Sequence, residues 1–144
     1  MRFLLDTTAA SQLGRARAPA AVREWLEATR DEDMAMSVMS LGEMRQGIER
    51  LRPRDGDTAD VLEARLGAIA RTLAGRVISV TSDIAERWGE LQAARGPLPV
   101  VDSLIAATAQ AYGLRVVTRN VADFERCGVA VIDPWESDQS PNTD

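Results

Sequence analysis

Short apolar runs alternate along the chain with longer segments whose apolar residues recur every three or four positions. The runs predict strands, the last of them at a sheet edge, over 2–5, 34–38, 77–80, 115–118 and 129–132. The longer segments have the spacing of a helix with one buried face, and they cover 19–30, 40–51, 58–74, 82–95 and 102–112. Strands that alternate with helices are typical of a parallel sheet covered on both faces. We therefore predict an α/β fold with about five parallel strands.

The chain has the length of one domain, with 144 residues and no long linker. We assign residues 1–135 to that domain and expect the polar segment 136–144, ESDQSPNTD, to be disordered. No apolar run approaches the roughly 20 residues of a membrane span. The N-terminus lacks the pattern of a signal peptide, and Cys127 has no partner for a disulfide within the chain. These features predict a cytoplasmic location.

Two amino acids are missing, and their absence excludes whole classes of chemistry. The chain has no histidine, and all 17 of its basic residues are arginine. Ser-His-Asp and Cys-His catalysis, histidine zinc sites and Schiff-base lysines are therefore excluded. Without a histidine to activate it, Cys127 is expected to be a small core residue. Carboxylates, hydroxyls, arginines and a hard metal ion remain available for polar catalysis.

The net charge of −5 argues against a general nucleic-acid coat. It does not exclude a nuclease, because an acidic metal site adds negative charge that bound cations offset locally.

Four acids occupy equivalent places relative to the predicted strands. Asp6 directly follows the first strand, and Glu43 lies one helical turn beyond the second. Asp102 opens the helix that leads into the fourth strand, and Asp123 lies beyond that strand. Sites in parallel α/β sheets form outside the carboxyl ends of the strands. The four carboxylates are therefore candidates for one shared crevice.

Each acid, taken singly, is also explained as a helix cap. Ser40 and Glu43 have the spacing of a capping box, and Asp102 suits an N-cap or a first helical turn. The set is harder to explain in this way, because Asp102 is embedded in apolar sequence where an unpaired carboxylate is costly. Carboxylates that share a crevice repel one another, and a divalent cation relieves the repulsion. Oxygen ligands alone favour Mg²⁺ or Mn²⁺, which suit hydrolysis of a phosphodiester.

Four segments, in this order and at these spacings, resemble the PIN domain. They are LLDT at 4–7, the strand end followed by SLGEMRQGI at 37–48, DSLIAATAQAYGLRVVTRN at 102–120 and VAVIDPW at 129–135. Within that family the chain is similar to the VapC-type and FitB-like toxins of bacterial toxin–antitoxin modules. The resemblance implies a three-layer α/β/α fold and Mg²⁺-dependent cleavage of single-stranded or structured RNA, such as tRNA or rRNA.

The resemblance also implies roles for individual residues. Matching the motifs places Asp6, Glu43 and Asp102 in the family's metal-binding acidic cluster. Asn120 stands where some members carry the fourth acid, so Asp123 is the available carboxylate. The residues expected to orient water or phosphate are Thr8, Thr118 and Asn120. Thr8 departs from the asparagine or serine usual in the family.

The implied partners are an RNA substrate, a small antitoxin protein and a second copy of the chain in a homodimer. The arginines near the acids that could contact phosphate are Arg15, Arg17, Arg45 and Arg119, although a solvated surface explains most of the 17 equally well. An alternative function stays open. Because of Thr8 and Asn120, the chain could be a catalytically weakened PIN-like domain that binds RNA or a protein.

Overall fold

The computed structural model describes residues 1–136, so only Glu136 of the expected tail 136–144 lies within the described part. The strands are β1 Phe3–Leu5, β2 Met34–Ser37, β3 Val77–Ile78, β4 Arg115–Val117 and β5 Val131–Ile132. The α-helices are α1 Thr7–Ala10, α2 Ala20–Ala28, α3 Val38–Leu51, α4 Gly56–Thr72, α5 Ser82–Arg95, α6 Val100–Tyr112 and α7 Val121–Arg126. A single 3₁₀ turn, Asp31–Asp33, precedes β2.

The five strands form one parallel sheet in the order β3-β2-β1-β4-β5, which confirms the predicted α/β class. β1 lies at the centre and pairs with β2 on one side and β4 on the other. β5 lies at an edge, as the sequence predicted. Because all strands run in the same direction, the residues that follow β1, β2 and β4 emerge at the same edge of the sheet.

Helices cover both faces of the sheet, so the three-layer arrangement is confirmed. Alternate residues of β1 point to opposite faces: Phe3 and Leu5 pack in one core, and Leu4 packs in the other. The first core includes residues of α1, α2 and α4, and the second includes residues of α5, α6 and α7. Cys127 belongs to the second core at 1 % exposure, consistent with a packing role. Within residues 1–136, no helix has both the length and the apolarity to cross a membrane.

Helix α3 begins earlier than the sequence pattern indicated, and the proposed capping box is wrong. The helix starts at Val38, and Ser37 is its N-cap, with its hydroxyl accepting a hydrogen bond from the Met39 backbone N–H at 3.0 Å. Ser40 and Glu43 therefore lie inside the helix, past the positions a capping box requires. The Glu43 carboxylate is left free to contact another element.

Helix α6 also begins earlier, at Val100, with Pro99 at the N-cap position. Asp102 therefore lies in the first turn and is not the N-cap. Proline is well suited to a helix start because its missing N–H would have no partner there.

The start of α6 is attached to α5 through one buried hydroxyl. Ser103 Oγ accepts hydrogen bonds from Trp88 Nε1 at 2.9 Å and from Gln92 Nε2 at 3.0 Å. The same oxygen lies 2.6 Å from the Pro99 carbonyl, to which it donates. Gln92 also holds the loop before α6, since its side-chain amide bonds both the N–H and the carbonyl of Leu98. This network sets the position of the residue next to Ser103, which is Asp102.

Replacing the hydroxyl tests how much this network contributes to stability. We expect Ser103→Ala to lower the free energy of unfolding by about 1–3 kcal/mol, because it leaves the Trp88 N–H and one of the two N–H groups of the Gln92 amide without an acceptor. Urea denaturation followed by circular dichroism measures the change. The control is Thr72→Ala, whose exposed hydroxyl bonds only the Ala68 carbonyl of its own helix and which should change stability by no more than ~0.5 kcal/mol. Equal stability of the two variants would contradict the assignment.

Candidate functional site

A carboxylate is buried where the central strand β1 ends. Asp6 follows β1 directly, and its side chain is only 5 % exposed. Its backbone N–H continues the sheet by donating to the Val117 carbonyl at 3.0 Å. Oδ1 caps α1 by accepting from the Ala9 N–H at 2.9 Å, and Oδ2 accepts from Thr118 Oγ1 at 2.6 Å. The interpretation of Asp6 as a helix cap is therefore correct for one oxygen, while the other oxygen faces the end of β4.

The hydrogen bond from Thr118 has a fixed direction. The Thr118 side chain is fully buried, and its oxygen accepts a hydrogen bond from the Asn120 backbone N–H at 2.8 Å. Its single proton is thereby directed at Asp6. Thr118 was predicted to orient water or phosphate; in the structure its hydroxyl contacts a carboxylate.

Burial raises the pKa of Asp6, and the negative charge of Glu43 acts in the same direction. The hydrogen bonds from Thr118 and Ala9 oppose this shift because they stabilise the ionised carboxylate. A carboxyl group with a raised pKa and two fixed donors is poised to gain from a nearby cation.

Asp102 and Asp123 meet through one side-chain amide. Asn120 Nδ2 donates to Asp123 Oδ2 at 2.6 Å and to Asp102 Oδ2 at 3.3 Å. Asn120 occupies the N-cap position of α7, yet its side chain makes no capping bond. The amide instead joins the start of α6 to the start of α7. Arg126 Nη1, one turn along α7, lies 3.6 Å from Asp123 Oδ1.

The pKa of Asp102 rises to about 6, mainly through burial and then through the negative charges of Asp6, Asp123 and Glu43. The hydrogen bond from Asn120 lowers it only in part. The other three acids predicted from the sequence therefore all lie near enough to Asp102 to raise the pKa of its carboxyl group. This mutual repulsion is the electrostatic sign that they face a common crevice.

Glu43 reaches the crevice from α3 and is held by a residue that the sequence analysis missed. Thr7 Oγ1 donates to Glu43 Oε1, and it also lies 3.1 Å from the buried Ser40 Oγ. Thr7 is the first residue of α1, directly after Asp6. The sequence held one signal for this role, because Thr7 stands next to the first acid within the LLDT segment.

Thr8 lies differently from the other predicted residues. It is exposed on α1, and its backbone carbonyl accepts a hydrogen bond from Ser11 Oγ at 2.6 Å. Its side chain takes no part in the hydrogen bonds that join the acids.

The donor set suits a hard divalent cation, since it consists of carboxylate oxygens beside a hydroxyl and an amide. Among residues 1–136, however, no three acidic, histidine or cysteine side chains are already grouped as a metal site. The Asn120 amide occupies an oxygen of Asp102 and one of Asp123, and the Thr7 hydroxyl occupies an oxygen of Glu43. The acids that could hold an ion are Asp6, Glu43, Asp102 and Asp123, and ion binding would exchange some of these hydrogen bonds for coordination.

The sequence of the chain matches the family model described as "PIN domain" over residues 3–129. This match covers strands β1 to β4 and every predicted acid. The chain belongs to the PIN-domain family. The resemblance stated from the four sequence segments is therefore confirmed.

Relatives of this PIN-domain protein are similar to it in sequence and in structure over nearly the full length of the chain. It is 34 % identical over 139 residues to the VapC ribonuclease Y4jK of Sinorhizobium fredii, which covers 93 % of this chain and 98 % of that protein. The structure superposes on FitAcB from Neisseria gonorrhoeae with a TM-score of 0.82 at 30 % identity, over 92 % of this chain and 98 % of the other. A toxin–antitoxin complex from Klebsiella pneumoniae gives a TM-score of 0.66 at 27 % identity, with 92 % and 98 % covered.

In the absence of divalent cations, the raised pKa of Asp102 predicts how the free energy of unfolding of this PIN domain depends on pH. An unfolded aspartate loses its proton near pH 3.8, whereas the folded protein keeps it up to about pH 6. The folded state thus binds more protons in this window, and the free energy of unfolding should fall as pH rises through it. Urea titrations between pH 4 and pH 7.5 measure the trend. Asp102→Asn should flatten it.

The exposed acid Asp83, on α5, provides the control. Asp83→Asn should leave the pH trend as it is in the parent protein. An equally steep fall in Asp102→Asn and the parent would refute the attribution to Asp102.

Proposed function

We propose that this protein is a Mg²⁺-dependent endoribonuclease that acts as the toxin of a toxin–antitoxin pair. The observation that carries the proposal is the convergence of acids at the carboxyl edge of the sheet, where burial and then the charges of Asp6, Asp123 and Glu43 raise the pKa of Asp102 to about 6. Membership of the PIN-domain family and the likeness to a VapC ribonuclease support the same activity.

The acids that would hold Mg²⁺, or Mn²⁺ in its place, are Asp6, Glu43, Asp102 and Asp123. A divalent cation among them would supply a lowered pKa for a bound water and stabilisation of charge on the scissile phosphate. Excess negative charge at the crevice is what makes a cation favourable there.

The remaining polar groups orient these acids. The Thr118 hydroxyl and the Ala9 N–H hold both oxygens of Asp6, so this carboxylate has one orientation. Thr7 sets Glu43, and the Asn120 amide sets Asp102 and Asp123. Preorganisation of this kind reduces the reorganisation needed when substrate binds.

Two of the exposed polar residues are positioned for the substrate. Thr8, on α1, and Asn120, before α7, both lie at the surface beside the acids. We assign them to contacts with phosphate or water. The substrate class is single-stranded or structured RNA, such as tRNA or rRNA, as in the resemblance to VapC-type toxins.

The partner we propose is an antitoxin protein. The related Klebsiella pneumoniae structure is a toxin–antitoxin complex. An acidic crevice on a protein of net charge −5 favours a basic segment of such a partner. We also propose a homodimer and action in the cytoplasm, where the RNA substrate is found.

A second function, binding without efficient cleavage, is favoured by one observation. The residue after Arg119 is Asn120 and not an acid. Its side-chain amide donates hydrogen bonds to one oxygen of Asp102 and one oxygen of Asp123. RNA binding that EDTA leaves unchanged, with no cleavage at high protein concentration, would support this alternative.

Substitution of the two central acids tests the nuclease proposal. Asp6→Asn and Asp102→Asn should each lower RNA cleavage by roughly 100-fold or more, because each removes a negative ligand while keeping the side-chain shape. Cleavage is measured on the free protein with Mg²⁺ and with EDTA, and circular dichroism checks the fold. The control Asp83→Asn, at an exposed ion pair on α5, should cleave normally. Retained Mg²⁺-dependent cleavage in both site variants would overturn the assignment.

The fourth carboxylate is tested by moving it. Asp123→Asn should weaken Mg²⁺-dependent activity by roughly 10- to 100-fold, the usual effect of losing a supporting group at a metal site. Because Asn120 Nδ2 lies only 2.6 Å from Asp123 Oδ2, the double variant Asn120→Asp/Asp123→Asn should regain part of the activity. Activity as a function of Mg²⁺ concentration measures both effects. Wild-type activity in Asp123→Asn alone would remove Asp123 from the site.

A further inference from the structure

A groove lies next to the acidic crevice. Its volume is about 490 Å³, and it lies where the chain leaves β4 and β5. Its walls are the β4–α7 loop, the first turn of α7 and the segment after β5. The residues that line the groove include Arg119, Asn120, Val131, Asp133 and Glu136. This volume falls within the roughly 300–1,000 Å³ of sites that accept ligands of small-molecule size, such as one nucleotide.

The groove and the acidic crevice share a wall. Asn120 lines the groove, and its side-chain amide contacts Asp102 and Asp123 at 3.3 and 2.6 Å. A chain that passes over the acids can therefore enter the groove directly.

Arg119 is the one basic residue among those that line the groove. Its side chain is exposed, and within residues 1–136 it forms no ion pair or hydrogen bond. Three other arginines on this side of the fold have partners: Arg45 pairs with Glu49 and Glu63, Arg126 pairs with Asp123, and Arg15 Nη1 donates to Gln12 Oε1 at 3.4 Å. An unpaired guanidinium has its full set of donors available, and its planar fork matches a phosphate.

Two acids in the groove make the binding of a phosphate there more dependent on Arg119. Asp133 and Glu136 also line the groove and disfavour a free anion. Asp133 Oδ1 accepts a hydrogen bond from the Trp135 backbone N–H at 2.9 Å, which fixes the segment after β5. A phosphate is therefore favoured only beside Arg119.

We infer that Arg119 binds a backbone phosphate of the RNA. The groove then holds the nucleotide next to the phosphodiester bond that is cleaved at the acids. This inference rests on the proposed ribonuclease function and adds to it a binding residue outside the acidic cluster. Arg119 contacts the strand in the ground state and in the transition state alike. Its loss therefore acts on binding and not on the chemical step.

The test compares Arg119→Ala with Arg54→Ala. Arg54 is exposed in the turn between α3 and α4, beyond the far end of a 14-residue helix, which is about 21 Å long. We expect Arg119→Ala to raise the KM for single-stranded RNA roughly 10-fold or more, as for the loss of a hydrogen bond to a charged group. The kcat should stay within about twofold. Arg54→Ala should change neither constant.

Two further measurements separate a phosphate contact from a structural effect. RNA binding to Asp6→Asn, which keeps the strand intact, is followed by fluorescence anisotropy as salt is varied. Adding Arg119→Ala should lower the magnitude of the slope of log K against log salt by about 0.7, the value for one phosphate contact on a single strand. Arg119→Lys should recover most of that slope, because the slope depends on the positive charge, which lysine retains although it lacks the planar guanidinium.

The possible results are distinct. If the parent protein cleaves RNA while Arg119→Ala matches Arg54→Ala in KM and in salt slope, the inference is wrong and the nuclease function stands. If Arg119→Ala loses kcat at unchanged KM, Arg119 acts on the chemical step and the inference is also wrong. If the parent protein shows no Mg²⁺-dependent cleavage, the proposed function fails and the inference fails with it.

Discussion

The site depends on the burial of one carboxylate at the end of the central strand. Asp6 is 5 % exposed, and an isolated negative charge at such a position is strongly unfavourable. Two hydrogen bonds offset the cost, one from the Ala9 N–H and one from the Thr118 hydroxyl. They come from α1 and from the end of β4, so the same contacts join three elements. Any arrangement that separated β1 from β4 would remove the Thr118 hydrogen bond and leave Oδ2 of this carboxylate without its donor.

This constraint explains why neighbouring polar groups are arranged as they are. Thr118 must donate to Asp6, and the Asn120 N–H makes it do so by occupying the hydroxyl oxygen. The Asn120 side chain is then placed between α6 and α7, where it contacts Asp102 and Asp123. A continuous chain of hydrogen bonds thus runs from the buried acid to the two acids nearer the surface. The raised pKa of Asp102 follows mainly from burial and then from the closeness of the other acids.

Much of the fold was predictable because it depends on local pattern. Short apolar runs separated by amphipathic segments indicated all five strands, and the parallel sheet followed from their alternation. The four acids were recognisable since each follows a strand or opens a helix at the carboxyl edge of the sheet. The start of α3 was not predictable, because Ser37 and Ser40 are equally good capping residues and only the backbone shows that Ser37 is used. The contact between Thr7 and Glu43 was missed for a related reason, since it joins residues of two helices that are 36 positions apart in the sequence.

The sequence by itself determined the class of fold, the family, and the restriction of any catalysis to carboxylates, hydroxyls and arginine. These follow from periodicity, from the order of the motifs and from the absence of histidine and lysine. The tertiary structure decided which oxygen meets which donor. The strand order places β4 beside β1, so Thr118 meets Asp6 across 112 residues of sequence. It also decided that Asn120 contacts two acids while Arg119 is left without an ion pair among residues 1–136. Such choices depend on distances between elements remote in sequence, and local pattern carries no information about those distances.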